Sequence, residues 1–169
     1  MRKTVIIIFV ILVVSLSYLW LGGGQNLEYK VERLSEFYIV GKEYSGSYNS
    51  SKLEELFFSM KTEALKKSSS LVVVNYESDT LDNGKIHQFI GYKSEDVPHE
   101  ENALQLLKIE AGEYVATEIE SHNFVMPKPE DVREGASEHV AAQGVILDSV
   151  SIEIYRGERE LQILFPINR

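Results

Sequence analysis

The chain has 169 residues, 44% apolar and 25% charged, which suits one folded domain with its own core. Its net charge of −9 excludes the basic stripe that nucleic-acid binding requires, so no nucleic-acid partner is expected. With no cysteine, disulfides, thiolate nucleophiles and cysteine-based zinc sites are excluded as well.

Residues 4–21 read TVIIIFVILVVSLSYLWL and carry no charge. As a helix this run is about 27 Å long, close to the ~30 Å hydrocarbon core of a bilayer. Arg2 and Lys3 precede it, and Tyr18 and Trp20 stand at its far end, where amphipathic rings favour the membrane interface. The expectation is a transmembrane anchor over residues 1–21, a glycine-rich linker over 22–28 and one domain over 29–169. The positive-inside rule puts the N-terminus in the cytoplasm and the domain outside, as a single-pass membrane protein. A cleaved signal peptide competes with the anchor, because Ser15 and Ser17 follow a basic start and an apolar stretch.

Residues 28–48 alternate apolar and polar around Phe37, Ile39 and Val40 and are read as a strand. Ser51-Lys52-Leu53-Glu54 has the S-x-x-E form of a capping box. Leu53, Leu56, Phe57, Met60, Ala64 and Leu65 then recur at helical spacing to about residue 67. Residues 71–77 are a β-branched run, Asp82-Asn83-Gly84 is a turn signal, and residues 85–92 are the returning strand. Residues 93–102 are polar with Pro98 and read as a linker. Residues 104–121 are strand-like but broken by Gly112. A helix over 129–143 has proline in its first turn, Gly144 at its end, and Val132, Ala136, Val140 and Ala141 on its apolar side. Strands over 150–155 and 160–167 follow, with a turn at Gly157.

The soluble part is therefore α+β: a β-α-β-β unit duplicated over about 29–95 and 103–169. Two such units related by a pseudo-twofold axis are expected to form one curved antiparallel sheet. Two helices cover one face, leaving a groove on the other. On the last strand Leu161, Ile163 and Phe165 form one side and Glu160, Gln162 and Leu164 the other, and the first set is the better core. On the earlier hairpin His87 and Phe89 oppose Ile86, Gln88 and Ile90.

Three motifs in this order resemble the GyrI-like effector-binding domains, which share a fold superfamily with the SOUL haem-binding proteins. They are Tyr44-Ser45-Gly46-Ser47-Tyr48 before the first helix, Ile109-Glu110-Ala111-Gly112-Glu113-Tyr114, and Glu153-Ile154-Tyr155 with the closing residues 161–167. The resemblance covers residues 29–167. It implies a groove lined by aromatic side chains that takes small, drug-like molecules, and in some relatives hydrolyses electrophilic ones. Where relatives often carry a groove glutamate four residues before the closing proline, this chain has Gln162. An amide has no charge to neutralise a cation, and Glu160 on the same face is the substitute.

The expected function is a membrane-tethered binding module for a flat apolar or amphipathic molecule. Tyr48, Tyr76, Phe89, Tyr92 and Tyr155 are the candidate stacking residues, and Glu153, Glu160 and Gln162 the candidate polar contacts. The alternatives are a hydrolase using a groove carboxylate, Glu160 or Glu153, and a module that docks another envelope protein. No catalytic residue, cofactor or metal site is assigned, and no protein partner is identified. His87, His99, His122 and His139 lack metal-ligand spacing, and His87 is the one histidine on a strand that a haem-binding reading would use.

Overall fold

The computed structural model describes residues 2–20, 26–76, 84–94, 104–120, 126–157 and 159–168. Helix α1 runs Arg2–Trp20. The domain then forms strands β1 (Tyr29–Leu34) and β2 (Phe37–Ser47), helix α2 (Ser51–Lys66), and strands β3 (Leu71–Tyr76), β4 (Lys85–Ser94), β5 (Gln105–Ile109) and β6 (Gly112–Glu120). Helix α3 (Pro129–Ala141), the short β7 (Ile146–Leu147), β8 (Val150–Tyr155) and β9 (Glu160–Asn168) complete it. The turn at Asp82 and Asn83, and most of the linker read over 93–102, lie outside the described residues.

The strands make one curled antiparallel sheet in the order β1-β6-β9-β8-β3-β4-β2-β5, with β7 paired to the end of β9. That order is palindromic under exchange of the two halves: β3 and β8 meet at the centre, β4 and β9 flank them, then β2 and β6, then β5 and β1. This strand order is the one expected of a duplicated β-α-β-β unit, with one correction. The strand read as continuous over 28–48 is two strands that part between Leu34 and Phe37, matching the break at Gly112 that divides Gln105–Ile109 from Gly112–Glu120 in the second half. The first strand of each half crosses to the other: β1 pairs β6, and β5 pairs β2.

The two faces have different cores. On one, Met60 and Ala64 of α2 pack on Val40, Leu71, Val73, Ile90 and Tyr92. Beside them Val132, Ala136 and Val140 of α3 pack on Val115, Ile119, Leu161, Ile163 and Phe165. On the other face Phe37, Ile39, Val74, Phe89, Ile152 and Leu164 bury one another without a helix, because the sheet curls round them. Gly41 and Gly91 face each other in the β2–β4 register, and a Cβ on either would collide with the opposite strand's backbone. Their missing side chains permit that close approach.

Helix termini show the local chemistry. The cap of α2 is Ser50, one residue before the S-x-x-E serine, because Ser50 has extended backbone and its Oγ accepts from Lys52 N at 3.2 Å. Leu65 lies on the outer side of α2 at 71% exposure, and Ala141 is also exposed, so neither belongs to the helix faces assigned to them. Gly144, at φ +67°, takes the left-handed conformation that ends the turn after α3.

Among the described residues no helix is long and apolar enough to cross a membrane. The transmembrane segment expected over residues 4–21 is thus not borne out by the described part. Of α1's side chains, residues 6–14 and 17 are described; the nine over 6–14 are all apolar and exposed, and Ser17 is exposed as well.

Candidate functional site

A cavity of about 1320 Å³ opens between α2 and α3 over the centre of the sheet. This corrects the expected geometry: the groove lies on the helix-bearing face, between the helices. The opposite face, where it was expected, is filled by the curled apolar core. The helices leave the gap because each packs on its own half, α2 over β3 and β4 and α3 over β6 and β9. The middle of the two central strands, β3 and β8, therefore forms the floor of the cavity.

Period-two alternation decides what the cavity sees. Val73 and Asn75 point in from β3, Ile86 and Gln88 from β4, Ser151, Glu153 and Tyr155 from β8, and Leu161 and Ile163 from β9. Val73 and Glu153 face each other in the β3–β8 pairing, so the carboxylate sits at the seam between the halves. Tyr48, Leu53 and Phe57 wall the α2 side, and Met126, Pro129 and Val132 the α3 side. Phe57 meets the Tyr155 ring edge-on at 5.6 Å between centroids.

Glu153 is the carboxyl at the centre of the floor. Its Oε1 accepts from Asn75 Nδ2 at 2.9 Å and its Oε2 from the Tyr155 hydroxyl at 2.6 Å. Asn75 Nδ2 also reaches Ser151 Oγ at 3.2 Å, and Gln88 Nε2 donates to Asn75 Oδ1 at 2.6 Å. Burial raises the Glu153 carboxyl above the ordinary glutamate range, against the lowering effect of the bonds from Tyr155 and Asn75. Burial, helped by the neighbouring Glu153 charge, pushes the Tyr155 hydroxyl far above the usual tyrosine range, so it stays protonated and donates. Glu54, Glu130 and Glu134 line the cavity further out and Arg133 is the cation beside them, so the lining is acidic on balance.

The expected site residues divide. Tyr48, Glu153 and Tyr155 line the cavity. Tyr76, Phe89 and Gln162 do not, because each lies on the opposite side of its strand. Tyr76 rests against the His87 ring at 4.6 Å, Phe89 is core, and Gln162 is buried with its Oε1 accepting from Arg156 Nη2 at 2.6 Å. Tyr92 faces the helix side but lies beneath α2 in the core. Glu160 is exposed at the rim of a separate shallow hollow with Glu118 and Arg156. His87 pairs with Glu43 on the face away from the cavity. Among the described residues there is no cluster of three or more histidine or carboxylate side chains that would hold a metal.

Asn75, Gln88, Ser151 and Phe57 were not singled out from the sequence. The signal for the first three was present: each is a polar residue within a run of strand apolars. A polar side chain on a central strand needs partners there.

No family model and no curated protein matches the chain. Solved structures do match it. The EcmrR C-terminal domain superposes with a TM-score of 0.63 at 13% identity, covering 86% of this chain and 99% of that one. The chain shares that domain's fold. SAV2435 bound to tetraphenylphosphonium gives 0.51 at 14% identity, covering 83% and 94%. A hydrolase from Listeria innocua gives 0.58 at 10% identity, covering 83% and 92%. Against EcmrR in its DNA complex the TM-score is 0.62 at 13% identity, and this chain covers 85% of itself but only 58% of that longer protein. At these identities the likeness is one of fold.

Proposed function

We propose that the domain binds a lipophilic aromatic cation in the cavity between α2 and α3, with Glu153 as its counter-charge. The observation that carries this is a carboxylate at the floor of an apolar, aromatic-walled cavity with no basic side chain bonded to it among the described residues. A buried anion of this kind gains from a cation that brings its own apolar surface, since both are desolvated together. Phe57, Tyr155 and Tyr48 add ring faces and edges that favour the same ligand. The tetraphenylphosphonium held by SAV2435 is a molecule of this class. The missing groove glutamate at Gln162 is thus no obstacle, because Glu153 supplies the charge from the neighbouring strand. The net charge of −9 disfavours DNA, so the DNA partner of EcmrR is not carried over. Calorimetric titration of the full chain with tetraphenylphosphonium tests the reading. Saturable binding that falls at least tenfold in Glu153→Gln is expected, and equal affinity in that variant would end it.

A second reading is favoured by the Glu153–Tyr155 hydrogen bond. A carboxyl of raised pKa beside a protonated hydroxyl is suited to moving a proton to or from water in an open cavity. Hydrolysis of an electrophilic small molecule would then be lost in Glu153→Gln while apolar ligands still bound.

The domain is further proposed to be held at a membrane by residues 4–21, with Arg2 and Lys3 on the cytoplasmic side and the domain outside. Nine consecutive exposed apolar side chains over residues 6–14 support this, because such a patch needs an apolar phase to cover it. The full chain should sediment with membranes and resist an alkaline wash, and protease added outside intact cells should digest the domain. An intact mass lacking the first residues would instead identify a cleaved signal.

A further inference from the structure

The polar groups on the cavity floor form a directed chain. Gln88, Asn75 and Ser151 lie side by side on β4, β3 and β8, since Asn75 pairs with Gln88 on one side and Ser151 on the other. The ladder therefore fixes their spacing. An amide side chain has one accepting and one donating end. Gln88 Nε2 occupies the Asn75 oxygen, so the Asn75 nitrogen is turned toward Glu153. Tyr155 brings a second donor to the other carboxylate oxygen. An ionised carboxylate accepts at both oxygens, whereas a carboxylic acid must donate from one. A protonated Glu153 must donate its hydrogen either to the Tyr155 hydroxyl, which then turns from donor to acceptor, or to Asn75, which then turns over with Gln88; while both keep their present donor roles, the anion is favoured.

We propose that Gln88 and Asn75 form an amide relay that favours the anionic form of Glu153 against the effect of burial and so makes the cavity select cations over neutral molecules. Gln88 is the positioning residue, acting on Glu153 through Asn75. The inference rests on the reading that the cavity takes a lipophilic cation. Among the described residues the ionisable groups that line the cavity with Glu153 are Tyr155 on its own strand, Tyr48 and Glu54 from the α2 side, and Glu130, Arg133 and Glu134 from α3; the lining residues of β3, β4 and β9 are uncharged. Burial raises the carboxyl and the Asn75 bond opposes that rise, which is the direction the relay requires.

The test is a pH titration of the full chain by infrared spectroscopy, following the carboxylic-acid C=O band that Glu153→Gln removes. Gln88→Met keeps the length but frees Asn75 to turn, and should move the midpoint up by about one pH unit. In Gln88→Glu the new carboxylate accepts from Asn75 and pins the reverse orientation, so the midpoint should move further. At a pH between the wild-type and variant midpoints, tetraphenylphosphonium affinity should fall about two- to fivefold in Gln88→Met, and should recover at higher pH. An unmoved midpoint in Gln88→Met, or a shift in Gln88→Glu no larger than that in Gln88→Met, overturns the relay. If neither variant folds, side-chain amide NMR of the wild type decides it. The Asn75 and Gln88 amide signals should titrate together with the carboxyl, and independent behaviour overturns the proposal. Midpoints that move as expected in a protein that never binds tetraphenylphosphonium would refute the ligand reading while leaving the relay in place.

Discussion

At Glu153, burial raises the carboxyl pKa while hydrogen bonds from Tyr155 and Asn75 lower it, and burial is the larger effect. The folded state therefore holds the Glu153 proton more tightly than the unfolded chain does. Its contribution to stability is fully present below the unfolded value of about 4.3 and is lost as pH rises through the raised folded value. Glu153→Gln removes this dependence. Thermal melts of both proteins between pH 4 and 8 should show the wild-type minus variant difference in Tm falling steadily as pH rises. A flat difference would mean that the carboxylate pays no desolvation cost. Three of the cavity residues, Tyr48, Glu153 and Tyr155, were legible in the sequence because they are aromatic or charged on strands or beside a helix. Tyr76 and Gln162 were assigned to the wrong face for one reason. Alternation says which residues share a face, but where both faces are buried it does not say which face meets the helices. On β3 both sets are apolar, and only packing separates Asn75 from Tyr76.

Elements defined by strong periodicity were read correctly from sequence, and their junctions were not. The Val132, Ala136 and Val140 stripe of α3 is buried as spaced. The cap of α2 was displaced by one residue because Ser50 and Ser51 are chemically equivalent, and only backbone conformation distinguishes them. The distinction is measurable: Ser50→Ala should cost about 1 kcal/mol in urea unfolding, and Ser51→Ala a few tenths. The division of 28–48 into β1 and β2 left no clear mark, whereas Gly112 did mark the matching break in the second half. The Gly41–Gly91 pair lies in the middle of β2 and β4, where glycine would otherwise weaken a strand. Gly91→Ala places a methyl group against the Val40 carbonyl and the Gly41 backbone, which cannot yield as a flexible side chain would. We expect a loss of about 2–4 kcal/mol in urea unfolding, comparable to other overpacked or strained core positions. An alanine there without cost would show that the sheet's curl does not depend on the close approach.

At the scale of the molecule, the exchange of first strands makes the two halves interdependent. β1 completes the edge of β6 in the second half, β5 completes the edge of β2 in the first, and β3 pairs β8 across the seam. Neither half alone can satisfy those strand edges or bury the helix-free core, which draws Phe37, Val74 and Phe89 from the first half and Tyr114, Ile152 and Leu164 from the second. The cavity depends on the same pairing, since Asn75 and Gln88 come from one half and Glu153 and Tyr155 from the other. A chain cut within residues 95–103 should therefore give two fragments that each lack a cooperative melt but associate one to one on mixing. The mixture should recover a cooperative transition and the Glu153-dependent binding of tetraphenylphosphonium. The fragments retain their strand-edge pairings but lose the covalent link, so the recovered transition should depend on concentration, as association requires. A first-half fragment that melted cooperatively by itself would show that the halves are separate folding units. The shared sheet would then be a docking of two stable pieces, and the cavity at their seam could open without either half unfolding.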